Sequence, residues 1–187
     1  MLSFAAAPAL RLSYTLDDVH RAARRDRLTL VDRCIGPWLQ FDAILEPHVS
    51  SAPESTPVVS ATGIARRRRV GTIYGWSLRP LWARVHVEQL RVRAAPGLRL
   101  PPATARYLCL ALGCRARERG CQQAYVLAID DAPRQHRRLV RYFSQLGLAP
   151  LRPVDQGVVD RLVWGGCGLL MGGAVEDILR RGEKWVR

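Results

Sequence analysis

The sequence lacks the cysteine and histidine pattern of a structural metal site. Its five cysteines are an odd number without a CxxC pair, and none of the four histidines lies at ligand spacing from a cysteine pair. No metal site is therefore expected. Reduced thiols are typical of a cytosol-like compartment, so we predict a cytoplasmic protein. An organelle stroma or matrix is the alternative, because Ala, Ser and Arg dominate the first residues.

Long apolar runs are also missing. No stretch approaches the ~20 residues that a membrane-spanning helix needs, so no membrane span is expected. Residues 1–10 contain a proline and no basic leader, which is a poor match to a secretory signal. A length of 187 residues with a hydrophobic fraction of 48% predicts a single domain with a sizeable core.

Lysine is nearly absent, and Lys184 is the only one. The chain nevertheless has 29 basic and 16 acidic residues, a net charge of +13. Almost all of the positive charge is therefore arginine, whose planar guanidinium binds carboxylates and phosphates through two hydrogen bonds. One interpretation is an anionic partner, either RNA or an acidic protein. The other is a genomic bias towards arginine with ordinary solvated surfaces.

Four consecutive arginines lie between two strand-like segments, residues 58–65 and 70–76. This pattern predicts a β-hairpin with a basic tip, which could contact an anionic partner. A localisation signal or a solvated turn would look the same. The tip consists of Arg66, Arg67, Arg68 and Arg69.

The N-terminal part predicts short elements. Thr15 precedes two aspartates in the pattern of a helix N-cap, and a short helix through Val19 and Ala23 should follow. Residues 27–45 are interrupted by Gly36 and Pro37, which predicts two short elements broken at that point.

A strand that changes phase organises the middle of the chain. Apolar residues alternate up to Val87, and the alternation resumes one residue out of phase at Leu90. The shift predicts a β-bulge near Glu88 and Gln89.

A helix over residues 103–119, a buried strand over 125–129 and a second helix before Gly147 should follow this strand. Strand, helix and strand in this order predict a parallel pair with a crossover.

The last part of the chain predicts an antiparallel strand pair, residues 151–154 and 159–164. The glycine-rich residues 165–173 should form a flexible turn, followed by a tail helix over 174–181. This helix would cover a sheet edge or make a dimer contact, which leaves oligomerisation open.

These segments resemble the core of the GNAT family of N-acetyltransferases. The resemblance rests on their order and on three motifs: Val87-Glu-Gln-Leu-Arg-Val92, Ala116-Arg-Glu-Arg-Gly120 and Tyr142-Phe-Ser-Gln-Leu-Gly-Leu148. It implies an α/β fold with a mixed, splayed central sheet, a bulged fourth strand and flanking helices. The single domain 1–187 would have a variable acceptor-side part (1–57), a core (58–164) and a tail (165–187).

The resemblance also implies acetyl-CoA or another acyl-CoA as cofactor, with its pantetheine arm in the gap between the splayed strands. Its pyrophosphate loop falls on residues 100–105, where alanines replace the family glycines and Pro101 and Pro102 supply no N–H. Amides and arginines at the helix start could still hold an anion. The expected cofactor-binding residues are Leu90, Val92, Arg99, Ala103, Thr104, Ala105 and Arg106.

The same resemblance places a catalytic base at Glu88, acting through a water, although a structural carboxylate paired with an arginine is the alternative. Phe143 stands where the family often has a tyrosine that acts as the general acid. Tyr142 remains a candidate, but its side chain points about 100° away on a helix. His136 replaces a family asparagine and could protonate a thiolate, although it has the surroundings of a surface residue.

Two functions follow from these expectations. The first is acyl transfer to an unidentified amine substrate. The second is an inactive binding or assembly protein that contacts RNA, a ribonucleoprotein or an acidic protein. An open gap between the splayed strands would favour the enzyme, whereas a gap filled by Leu100, Tyr107 or Trp82 would favour the binding protein.

Overall fold

A computed structural model describes residues 14–46, 67–78, 83–94, 99–154, 157 and 164–187. Its elements in chain order are α1 Leu16–Arg25, β1 Leu28–Asp32, β2 Trp38–Leu45, β3 Arg68–Leu78, β4 Arg84–Val92, α2 Thr104–Glu118, β5 Gln123–Ile129, α3 Pro133–Leu146, β6 Ala149–Val154, β7 Gly168–Ala174 and α4 Val175–Gly182, followed by a 3-10 turn Glu183–Trp185.

The seven strands form one mixed sheet in the order β1-β2-β3-β4-β5-β7-β6. β4 and β5 are parallel and are connected through α2, whereas each other neighbouring pair is antiparallel. The predicted parallel pair with a helical crossover is therefore confirmed. The chain has the mixed α/β sheet with flanking helices that the resemblance implied.

The predicted bulge lies in β4. Tyr74 of β3 is opposite Gln89, and the next residue, Gly75, is opposite Val87. Glu88 is therefore the extra residue of the bulged strand. The phase shift in the sequence indicated this position because a bulge moves the following side chains to the other face.

β4 and β5 separate at the bulge. Their pairing covers four residue pairs and ends at Val87 opposite Val126. Both strands continue, β4 to Val92 and β5 to Ile129. The splayed sheet is therefore confirmed.

The described helices lie against one face of the sheet. α2 packs on the central strands and is flanked by α1 and α4, and the buried Leu108, Leu110 and Leu179 belong to this core. Residues of opposite parity, such as His86 and its neighbour Tyr125 on β5, point to the other side. We call this side the second face.

Local signals explain where two helices begin and end. Thr15 caps α1 as predicted. Its hydroxyl accepts a hydrogen bond from the Asp18 amide, and the Asp18 carboxylate accepts one from the Thr15 amide at 2.7 Å. α3 ends at Gly147, whose φ of 100° is strained for any residue with a Cβ.

The prediction of a flexible glycine-rich turn is wrong for residues 168–173, which belong to β7 in the interior of the sheet. β7 pairs with β5 on one side and β6 on the other. The glycines permit close packing rather than flexibility: a Cβ at Gly172 would lie 2.7 Å from Leu151, and one at Gly173 would lie 2.8 Å from the Gly147 carbonyl oxygen. β6 therefore pairs with β7, and residues 159–163 of the predicted partner strand 159–164 lie outside the described residues.

The predicted basic hairpin tip is also wrong. Arg68 and Arg69 lie within β3, where they pair with Leu45 and Ile44 of β2. Arg67 immediately precedes the strand, and Arg66 and the proposed partner strand 58–65 lie outside the described residues. A strand is predicted from alternating apolar residues, and the run of arginines breaks that alternation. The arginines were therefore predicted as a turn, although Arg68 and Arg69 are in extended conformation within β3.

The tail helix exists as α4, and its predicted apolar stripe of Val175, Ile178 and Leu179 is buried. Among the described elements it packs mainly on α2 rather than on an edge strand, and Leu179 contacts the position of Gly113. The stripe therefore completes the core.

Candidate active site

The free edge of β4 is the first component of the site. β4 pairs with β3 as far as Val92 opposite Gly71, whereas its pairing with β5 stops at Val87. Within the described residues, the backbone groups of 88–92 that point towards β5 therefore have no strand partner. Unpaired N–H and C=O groups on a strand edge can bind an extended ligand that contains amide groups.

A small apolar cavity lies beside this edge. Its volume is about 40 Å³, and its wall includes Val87 and Leu90 of β4, Val126 of β5, Cys109 of α2 and Phe143 of α3. Ligand pockets usually measure roughly 300–1,000 Å³. The gap between the strands is therefore mostly filled on the side of the helices.

The residues that fill the gap are not those expected from the sequence. Tyr107 does not line the cavity, and its hydroxyl donates a hydrogen bond to the Asp26 carboxylate at 2.9 Å. Leu100 packs against the main core without lining the cavity, and Trp82 lies outside the described residues. Cys109 of α2 and Phe143 of α3 are among the residues that line the remaining cavity instead.

Glu88 is exposed at the bulge. Among the residues that the structure describes, it has no ion-pair partner, so the alternative of an arginine-paired carboxylate finds no such pair there. Its side chain shares the second face with Gln89, because Val87 and Leu90 on either side both line the cavity under the helices. This carboxylate can receive a proton from a ligand bound along β4.

His86 lies two residues before Glu88 but is enclosed. It is 6% exposed, and its ring makes edge contacts with Trp76 at 4.9 Å and Trp164 at 4.2 Å between centroids. Burial lowers the pKa of His86 to about 4. The imidazole is therefore neutral near pH 7 and a weak base. Trp164 was not identified as a site residue, because its contact with His86 joins residues that are distant in the sequence.

His136 lies at the carboxyl end of β5. Its Nδ1 is 3.1 Å from the Ala128 carbonyl oxygen and 3.3 Å from that of Ile129, so Nδ1 carries the proton and donates it to both. Nε2 makes no hydrogen bond to the residues that the structure describes. The side chain is partly exposed, at the end of the sheet where β4 and β5 separate.

Tyr142 and Phe143 occupy different surroundings. Phe143 lines the cavity and Tyr142 does not. The Tyr142 hydroxyl lies 3.8 Å from the Cys109 sulfur between α2 and α3. Burial raises the pKa of this phenol above its usual range and raises that of the Cys109 thiol to about 12. Of the two residues, Phe143 therefore lies next to the gap.

The start of α2 lies near the same end of the sheet. Its first turn contains no acidic residue, and Ala103 at the N-cap makes no side-chain cap. Thr104 is buried, and both its amide and its hydroxyl donate to the Pro101 carbonyl, at 3.0 and 2.7 Å. The first-turn amides of Ala105 and Arg106 remain for an anion.

Arginine side chains differ in their availability at this helix start. The Arg106 guanidinium lies 4.7 Å from the centre of the Trp185 ring, and the Lys184 ammonium lies 5.0 Å from it. Arg99 is exposed, and of the two β4 residues expected along the cofactor, Leu90 is partly buried while Val92 is 38% exposed.

The described residues contain no group of three or more His, Cys, Asp or Glu that could hold a metal ion.

Sheet order, bulged β4 and the separation of β4 from β5 together define a GNAT-like fold. No protein-family model matches the sequence, and a search of curated proteins found no significant match. Similar solved structures exist. A protein described as an acetyltransferase of the GNAT family, from Desulfovibrio desulfuricans, is 10% identical, with a TM-score of 0.47 over 74% of this chain and 70% of its own.

Two further structures are similar at the same level. The ribosomal-protein-S18-alanine N-acetyltransferase from Escherichia coli is 10% identical, with a TM-score of 0.45, and the match covers 86% of this chain and 87% of that one. A protein described as an N-acetyltransferase from Lactobacillus plantarum is 11% identical, with a TM-score of 0.46 over 74% and 69% of the two chains. Similarities this remote define neither an activity nor a substrate. Within the described part, no helix has the length and apolar character to cross a membrane.

Proposed function

We propose that the chain is an acyl-CoA-dependent N-acyltransferase that modifies an amine at the β4 bulge. The observation that carries this proposal is the end of β4–β5 pairing at Val87, immediately before an exposed carboxylate at Glu88. A strand edge with free amide-binding groups beside an acid is a suitable place for an amide-rich cofactor arm and an acceptor amine.

The residues present fit an acyl-CoA at two of three points. The free edge of β4 offers backbone groups to the two amides of a pantetheine arm, and the uncapped start of α2 offers the amides of Ala105 and Arg106 to phosphates. The third point is the 40 Å³ cavity, which is too small for the arm. Cys109 and Phe143 must therefore shift, or the arm must lie on the outer side of the edge.

When bound, the cofactor would supply a thioester carbonyl for attack. Glu88 would accept the proton that the amine loses as its nitrogen bonds to the acyl carbon. The group that the cofactor releases would take its proton from solvent, or from His136 only if Nε2 first accepted one, because the Nδ1 proton is held by two carbonyl oxygens. Tyr142 contributes no proton in this arrangement, because its hydroxyl lies against Cys109. We place the protein in a reducing, cytoplasmic compartment, where its five cysteines would remain thiols.

Calorimetric titration with acetyl-CoA and with CoA, on protein stripped of nucleic acid, tests this function. Glu88→Gln should retain binding and lose acyl transfer by about 10²-fold or more. Glu176→Gln is the matched control, because Glu176 is exposed on α4 and carries the same charge. Loss of transfer in both variants, or in neither, would contradict the role of Glu88.

Ala105→Asp tests the anion site at α2 separately. An aspartate in the first turn stabilises the helix through its dipole, but its charge repels a phosphate bound to the same amides. The variant should therefore keep its melting temperature and bind CoA at least tenfold more weakly. Ala105→Asn has the same shape without the charge and should bind CoA nearly as the parent does. Equal CoA affinity of the parent and the aspartate variant would exclude this helix start as the phosphate site.

A binding protein without catalysis is the second candidate, and the nearly filled gap favours it. It predicts no heat and no thermal shift with CoA at millimolar concentration. The acyltransferase predicts both, so the same titration separates the two functions.

A further inference from the structure

The second face of the sheet contains a basic groove next to the bulge. Arg69 of β3, Arg91 of β4 and Arg93, which directly follows β4, line a depression of about 430 Å³ together with Gln40, Tyr74 and Gln89. We call it the arginine groove. All three arginines are exposed. Arg91 of β4 is paired with Thr72 of β3, and Arg69 forms an ion pair with Asp42. The side chains of Arg91 and Arg69 therefore lie on the second face, opposite the helices.

The charges of the arginine groove are only partly neutralised. Asp42 is 1% exposed and forms ion pairs with Arg33 at 3.1 Å and with Arg69 of the groove at 3.8 Å. No acidic side chain of the described residues pairs with Arg91 or Arg93. Two exposed guanidinium groups therefore point into a concave polar surface without a counterion from this part of the chain, and such groups favour carboxylates or phosphates.

The order of charges along β4 distinguishes between anionic partners. Glu88 comes first, Arg91 follows after three residues and Arg93 after two more. At the rise of a β-strand these distances are roughly 10 Å and roughly 7 Å. A negative group at one end and two positive groups further along complement a ligand with an amine followed by acids. A nucleic acid chain would instead place a phosphate near Glu88, where like charges repel.

We propose that the arginine groove binds acidic side chains of a polypeptide acceptor whose amine lies at Glu88. The proposal rests on the proposed acyl transfer for the position of the amine, whereas binding of the acidic segment stands by itself. In an extended peptide, alternate side chains are spaced roughly 7 Å apart, as Arg91 and Arg93 are. The occupant would therefore have a free amine and carboxylates from about the fourth residue onwards.

Fluorescence anisotropy without any acyl-CoA tests this inference. The probe is a ten-residue peptide with a free N-terminal amine, glutamates at its fourth to sixth positions and a dye at its C-terminus. The comparison probes are the same peptide with glutamines at these positions and a ten-nucleotide single-stranded RNA. The acidic peptide should bind at least tenfold more tightly than the glutamine peptide, and added salt should weaken it.

Arg91→Gln together with Arg93→Gln should weaken the acidic peptide tenfold or more, with an unchanged melting temperature because both side chains are exposed. Arg138→Gln with Arg141→Gln removes two exposed arginines of α3, on the other side of the sheet, and should change the affinity less than twofold. Equal weakening by both double variants would indicate non-specific charge and overturn the proposal. Tighter binding of the RNA, lost in the β4 double variant, would overturn it in favour of a nucleic acid site.

Failure of this inference and failure of the acyltransferase are distinguishable. If the protein binds the acidic peptide through Arg91 and Arg93 but shows no heat with acetyl-CoA, the arginine groove stands and the enzymatic function fails. If acetyl-CoA binds and the peptide does not, the enzymatic function stands and the acceptor class proposed here fails.

Discussion

Trp164 packs edge-on against His86, with 4.2 Å between the ring centroids. The contact joins the connection between β6 and β7 to the strand that carries the bulge, on the second face and two residues before Glu88. It also removes the imidazole from water. Trp164, although distant in the sequence, thus packs beside the bulged part of β4.

The buried His86 makes stability depend on pH. Its pKa is about 4 in the folded protein and about 6.5 in the unfolded chain. Between these values the unfolded state binds the proton and the folded state does not, so the free energy of unfolding falls as pH falls. The expected loss is about 3 kcal/mol between pH 7 and pH 4, measured by urea unfolding.

His86→Phe isolates this contribution, because phenylalanine keeps the aromatic contacts and cannot titrate. Burial also lowers the pKa of His20, so some dependence will remain in the variant. A pH profile identical to that of the parent would show that His86 is not the group responsible.

Gly75 is required where β3 meets the bulge. A Cβ at this position would lie 2.1 Å from the His86 carbonyl oxygen, a backbone atom that cannot move without disturbing the strand pair. Gly75→Ala should therefore lower the free energy of unfolding by about 3 kcal/mol or more. Gly166→Ala is the control: its nearest neighbour is a Leu127 methyl at 3.8 Å, an ordinary contact, and its effect should stay below about 1 kcal/mol.

Phe143→Tyr should increase acyl transfer. The substitution adds a hydroxyl at the cavity wall, and 40 Å³ is enough for it. A phenol there can donate a proton to a departing sulfur, so we expect kcat to rise at least tenfold, with stability reduced by about 1–3 kcal/mol for the buried hydroxyl. Tyr142→Phe should leave kcat within about twofold, since it removes only a weak contact with Cys109. An unchanged kcat in Phe143→Tyr would show that solvent or another group is a sufficient acid.

Asp42→Ala should weaken the fold and strengthen anion binding. It removes a buried carboxylate, but the side chains of Arg33 and Arg69 are 60% and 65% exposed and can be hydrated instead. The cost should therefore be about 1–2 kcal/mol rather than that of a fully buried pair. The arginine groove gains net positive charge, so the acidic peptide should bind several-fold more tightly in the anisotropy experiment. Weaker binding would mean that Asp42 holds Arg69 in the position that the ligand needs.

The sequence predicted those features that depend on local patterns. The bulge at Glu88 shifts the apolar phase of its strand, Thr15 carries the cap of α1, and Gly147 ends α3. Each signal involves residues close in the chain. The parallel β4–β5 pair also followed from sequence order, because a helix between two strands of one sheet requires a crossover.

Predictions failed where long-range packing decides. Gly172 and Gly173 suggested flexibility, but Tyr125 and the backbone of Gly147 approach them too closely for any larger residue. The arginine groove was not predicted for a similar reason. Arg69 and Arg91 are distant in sequence and meet only because β3 and β4 are neighbours.

Pro150 and Pro153 lie in β6, at one edge of the sheet. Proline has no amide proton, and the register of β6 is irregular between Pro150 and Arg152. A further strand therefore cannot form a continuous ladder on this edge. Of the two edges that the described strands form, only β1 offers an uninterrupted row of amide donors. Aggregation by strand addition is thus blocked at one end of the sheet, and self-assembly of this kind would begin at the other.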